Sequence, residues 1–100
     1  MVIVTGQFRV APADRDAFIA TKHEGIKRSR AEAGCISYVF APDPIESDLV
    51  VLYERWESQA HLDTHIAAMR APGAPTPPPG PAPTRAELLI CDVSGVRPFG

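Results

Sequence analysis

Hydrophobic and polar positions change period several times along the chain, and the changes divide it into six elements. From Val2 to Val10 they alternate. Val2, Val4, Phe8 and Val10 fall on one side, and Ile3, Thr5, Gln7 and Arg9 on the other, which predicts a strand. Ala11-Pro12-Ala13-Asp14 breaks the alternation, and a helical period follows to about Glu32 with Phe18, Ile19, Lys22, Ile26 and Ser29 on one side. Gly34 closes that helix. Period two returns over Cys35 to Ala41, placing Ile36, Tyr38 and Phe40 on one face and Cys35, Ser37 and Val39 on the other. Two prolines, Pro42 and Pro44, make the next stretch a loop. Asp48 to Trp56 predicts a third strand, apolar on both sides: Val50, Leu52 and Trp56 against Leu49, Val51 and Tyr53. Ser58 is a good N-cap for a helix from Gln59 to about Met69, striped by Leu62, His65, Ile66 and Met69. A last strand is expected from about Ala86 to Val96, with Leu88 and Ile90 opposite Leu89, Cys91 and Val93.

The order β-α-β-β-α-β predicts an α+β, ferredoxin-like domain, four antiparallel strands with both helices on one face. Residues 1–100 are expected to form that one domain, with 71–84 as a proline-rich connection between the second helix and the last strand. Two helices cover one face only. The other still carries apolar side chains, so a second copy packed sheet to sheet is the simplest cover, giving a homodimer.

Composition changes this picture in one place. Apolar residues make up 45% and charged residues 22% of 100 positions, ordinary globular usage. Seven of the 11 prolines, however, lie between Ala71 and Thr84. The bias belongs to one segment, an extended strap that ends the second helix. A net charge of −2 argues against nucleic acid, and the densest basic stretch, Lys27-Arg28-Ser29-Arg30, reads as a solvated helix face. No apolar run suits a membrane span, and the N-terminus lacks the pattern of an export signal, so the expected location is the cytoplasm. Cys35 and Cys91 would sit on opposite edges of the sheet, roughly 14 Å apart. That is beyond bridging distance, and both read as free thiols.

Phosphate loops, dinucleotide fingerprints, nucleophile elbows and paired-cysteine motifs are all missing, so function has to come from a pocket. His61 and His65 stand four apart, as in many zinc sites, but Leu62 occupies the place of the metalloprotease glutamate and no nearby third ligand is evident. No metal is expected. His65 lies on the apolar stripe of its helix, either as a core histidine or as a pocket base, since neutral imidazole accepts a proton near neutral pH. Trp56 reads as a packing residue or the wall of an aromatic pocket. Tyr38 and Tyr53 read as strand aromatics whose hydroxyls could orient a substrate oxygen. Thr5, Gln7 and Arg9 form a polar row, solvated if that face is outside and cavity-lining if it lies under the helices.

Glu32-Ala-Gly-Cys-Ile-Ser-Tyr and Tyr53-Glu-Arg-Trp-Glu-Ser-Gln-Ala-His-Leu-Asp-Thr-His65 resemble the antibiotic biosynthesis monooxygenase family, and within it the small quinol monooxygenases. The resemblance covers roughly residues 2–69 and the last strand. It implies a dimeric α+β barrel and an oxygenase without cofactor, which binds a quinol, anthrone or polyketide-like phenol and lets its anion react with dioxygen. On that likeness His65 would be base or anchor and Gln7 a donor to the oxyanion. Trp56, Tyr53, Tyr38 and Thr5 would contact the substrate. Haem-degrading members of the fold need an Asn, a Trp and a His. Gln7 and His65 stand at the first two positions and the proline stretch at the third, so haem is not expected. A helical continuation with another His is usual in the quinol branch, where this chain has its prolines. A non-catalytic small-molecule-binding barrel is the competing expectation, because the fold hosts many functions.

Overall fold

The computed structural model describes residues 1–100. Four strands, β1 (Val2–Arg9), β2 (Cys35–Pro42), β3 (Leu49–Trp56) and β4 (Arg85–Asp92), form one sheet in the order β2-β3-β1-β4. Every neighbouring pair is antiparallel. Three helices, α1 (Arg15–Ala20), α2 (His23–Ala31) and α3 (Gln59–Arg70), accompany it. This is the ferredoxin-like α+β arrangement. No helix is long and apolar enough to cross a membrane.

The helices pack on the face carrying Val2, Val4, Phe8 and Val10, so the alternation of β1 reads directly as inside and outside. Val2, Val4, Tyr38, Leu52, Trp56 and Leu62 form the larger core cluster, and Val10, Phe18 and Val50 a smaller one. Phe8 and Phe40 touch both. Only 14 of the 100 residues are buried, so the core is slight, and each full-size side chain in it contributes about 1.5–3 kcal/mol.

Three local features differ from expectation. The first helix is two: Thr21 Oγ1 donates to the Phe18 carbonyl at 2.6 Å, and Lys22 N bonds back only three residues, to Ile19 O at 2.9 Å. That tightened turn ends α1 and starts α2 at a new angle. In β2 a bulge between Cys35 and Ser37 places Cys35 opposite Trp56, inside, and leaves Ile36 exposed. The pairing of β4 with β1 stops at Asp92, opposite Val2, short of the expected Val96; one further backbone bond, from Val93 N to Met1 O at 3.1 Å, reaches the end of the chain.

The strap between α3 and β4 lies across the helical layer. A Cβ at Gly80 would sit 2.4 Å from Thr21 Cγ2, so this close approach to the α1–α2 turn requires glycine. Thr84 N then bonds to Arg9 O at 2.8 Å and starts β4. β4 itself is exposed along its whole length, with Leu88, Leu89 and Ile90 uncovered.

Candidate active site

Ser58 starts α3 as the sequence suggests, its Oγ accepting from His61 N at 3.2 Å. The His61 ring turns away from any cluster of ligands. Its Nδ1 pairs with Ser58 Oγ at 2.7 Å, and the ring fills the space over Gly34, whose positive φ (79°) suits glycine alone. No group of three or more His, Cys, Asp or Glu side chains is placed to hold a metal ion.

One turn later the helix directs His65 at the sheet, where it is 4% exposed. Its ring lies between Trp56, at 4.7 Å between centres, and Tyr38, met edge-on at 5.5 Å. Nδ1 stands 3.0 and 3.1 Å from the two carboxylate oxygens of Glu32, at the end of α2. A carboxylate only accepts, so Nδ1 carries a proton, and in the neutral imidazole Nε2 keeps its lone pair. Nε2 has no protein partner and is not sealed from solvent; the residue lines a cavity.

That cavity, of about 800 Å³, lies between the inner face of the sheet, α2, α3 and the first part of the strap. Val4, Phe8, Tyr38, Phe40 and Leu52 form its floor, Leu88 and Ile90 of β4 one wall, and Ala74 to Pro78 the rim. Two polar groups on the floor have altered acidities. Burial, reinforced by the negative charge of Glu54, pushes the Tyr38 phenol up to about 12, against a smaller opposing effect of Ser29. It is therefore a neutral hydrogen-bond donor at any ordinary pH. Burial also raises the pKa of Glu54, 5% exposed, although the indole of Trp56 donates to its Oε1 at 2.9 Å and the charge of His65 opposes the rise. The Cys35 thiol is pushed up by burial and by the charges of Glu32 and Glu54, which makes it a poor nucleophile.

Of the expected site residues, His65 and Tyr38 meet in this cavity. Trp56 does not line it: fully buried, it packs behind His65 and holds Glu54. Gln7, Thr5 and Tyr53 are on the other face of the sheet, because β1 and β3 pair in register and the even-numbered members, Val4, Leu52 and Glu54, point inward. Gln7 lines a separate polar recess of about 170 Å³ with Arg9, Arg85 and Glu87. It cannot donate to an oxyanion held by His65 of the same chain. Two residues went unremarked as site candidates, Glu32 and Glu54. The signal for Glu54 is a charge on the otherwise apolar row Val50, Leu52, Trp56. Glu32 lies 33 positions from His65 and carries no local signal.

The profile of the antibiotic biosynthesis monooxygenase family matches residues 1–68. An uncharacterised protein of Synechocystis sp. is 39% identical over 65 residues, spanning 65% of this chain and 44% of the relative, so the match covers less than half the relative's length. Among solved structures, a Deinococcus radiodurans protein bearing the family's name superposes over 100% of this chain and 99% of its own, with a TM-score of 0.79 at 15% identity. A Mycobacterium tuberculosis protein covers 95% of this chain and 96% of its own, with a TM-score of 0.66 at 25% identity. With its profile matched over two-thirds of the chain and its fold over the whole, this protein belongs to the antibiotic biosynthesis monooxygenase family.

Proposed function

We propose that the protein is a cofactor-independent monooxygenase that oxidises a small phenol, quinol or anthrone with dioxygen. The observation that carries this reading is the Glu32–His65 pair opening on an aromatic-floored cavity. Glu32 fixes the tautomer and orientation of the imidazole and stabilises the cation formed when Nε2 takes the substrate's phenolic proton. The neutral Tyr38 hydroxyl donates to the resulting oxyanion. An electron-rich anion of this kind passes an electron to dioxygen, and the two radicals combine to form a C–O bond. Loss of water from the hydroperoxide gives the product, so that a hydroquinone and dioxygen become a hydroxyquinone and water. Glu54, whose pKa burial raises, is the group assigned in this reading to pass a proton to that water.

The active unit in this reading is a homodimer. Val51 and Tyr53 on the outer face, with Leu89 of β4, form an apolar patch that a second sheet would cover.

Oxygen uptake and product mass are the test, with naphthohydroquinones and anthrones as substrates. Turnover to a product that has gained one oxygen and lost two hydrogens, lowered about 10–100-fold by Glu32→Gln with a shifted pH profile, is the expected result. Binding of the same compounds without oxygen uptake would establish a binding barrel instead.

A further inference from the structure

The cavity has a second end that the Glu32–His65 pair does not reach. Along the inner face of β2 the aromatic side chains follow one another away from the histidine. Tyr38 lies beside His65, Phe40 is 6.2 Å from Tyr38, and Lys22 Nζ is 5.7 Å from the centre of the Phe40 ring. Lys22 also stands 4.9 Å over the Phe18 ring. The tightened turn at Thr21–Lys22 is what brings this side chain in from the helical layer.

Charges lining the cavity are paired unequally. Its three carboxylates all have partners: Glu24 with Lys27 at 3.3 Å, Glu32 with His65, and Glu54 with the Trp56 indole. Its three cations, Lys22, Arg28 and Arg70, have no ion pair or side-chain hydrogen bond. Arg28 and Arg70 are exposed and well hydrated, but Lys22 is half-buried on two aromatic faces. Those faces replace only part of its lost hydration, and burial lowers its pKa.

We propose that the substrate is an aromatic acid, its ionised carboxylate bound by Lys22 and its hydroxyl-bearing ring placed at His65. Tyr38 and Phe40 are two steps apart along β2, a rise of about 7 Å, which matches the length of two fused rings. The assignment of the reacting end to His65 rests on the monooxygenase reading; the anion site at Lys22 does not.

The two are separated by anaerobic calorimetry at low ionic strength with 6-hydroxy-2-naphthoate and 2-naphthol, which differ by the carboxylate. The acid is expected to bind the wild-type protein about tenfold more tightly than the naphthol. Lys22→Met, which keeps the aliphatic stem over Phe18, should abolish that preference and leave 2-naphthol within about twofold. Lys22→Arg should retain most of it. Equal affinity for the two ligands in the wild type, no binding of the acid, or an equal loss for both in Lys22→Met would each overturn the proposal. An acid preference without oxygen uptake on any aromatic acid would sink the oxygenase and leave the anion site standing; turnover of neutral quinols alone would do the reverse.

Discussion

Tyr53 and Glu54 are neighbours on β3, and they are the wrong way round for an isolated domain. The tyrosine is 37% exposed on the outer face, and the glutamate is 5% exposed under the helices. Burying a carboxyl costs several kcal/mol unless it is well paired, and one indole N–H is a thin return. The exposed apolar side chains Val51, Tyr53 and Leu89 on the outer face are also unfavourable in water. The inner anomaly makes sense if the face handles protons for a bound molecule, and the outer one if a second sheet covers it. On the proposed function each face is incomplete in the monomer, but for a different partner.

The largest effect expected from this contrast is on turnover. His65→Ala should lower kcat/KM for oxygen uptake by about 10²–10⁴, while Gln7→Ala stays within about twofold. Comparable losses in both variants would mean that the outer face also reaches substrate, and the division between the faces would fail.

Stability should divide along the same line. Leu52→Ala removes a buried side chain from the inner face and should cost about 2–5 kcal/mol at any protein concentration. Val51→Ala, one residue away on the outer face, should cost less than about 1 kcal/mol, and its cost should grow with protein concentration if a second copy covers that face. Urea titrations at two concentrations distinguish the cases. A concentration-independent loss for Val51→Ala would argue that no second copy covers that face.

Light scattering examines the cover itself. A wild-type mass of twice 10.8 kDa is expected, and Leu89→Arg, which sets a charge within the apolar patch, should shift it to the monomer. A wild-type monomer at micromolar concentration would remove the dimer.

Strand and helix positions were legible because burial imposes periods of two and 3.6, and Val2, Val4, Leu52 and Leu62 obey them. What alternation leaves open is which side of a strand lies under the helices. Thr5, Gln7 and Tyr53 therefore entered the candidate site and belong outside it. The break at Thr21 depends on one side-chain hydrogen bond, and the bulge at Ile36 on an unpaired residue; neither disturbs the composition of its segment. Within the site, His65 was legible as a polar residue on an apolar stripe. Glu54 carried the same signal on β3. Glu32 did not, since its role arises only where the end of α2 meets α3.

The smallest effect expected is also the most specific to the inner face. Because burial raises the pKa of Glu54 in the folded protein, the folded state holds this proton after the unfolded chain has released it. Below the ordinary carboxyl pKa of 4.5 the group makes no difference between the two states. As pH rises from there through the folded value, the unfolded state gains from ionising first, and the fold loses stability. Glu54→Gln keeps an oxygen to accept from Trp56 and cannot ionise. It should therefore gain stability relative to wild type as pH rises, the gap closing again toward pH 4.5. Taking the difference between the two proteins cancels the titrations that Glu54 does not touch, such as that of Asp43, whose pKa is lowered by backbone N–H bonds from Glu46 and Ile45. Thermal melts of both proteins from pH 4 to 8 measure the gap. A gap independent of pH would mean that Glu54 ionises in the fold as it does in water. The carboxyl would then have no proton to give, and the inner face would lose its claim to proton transfer at that position while keeping it at His65.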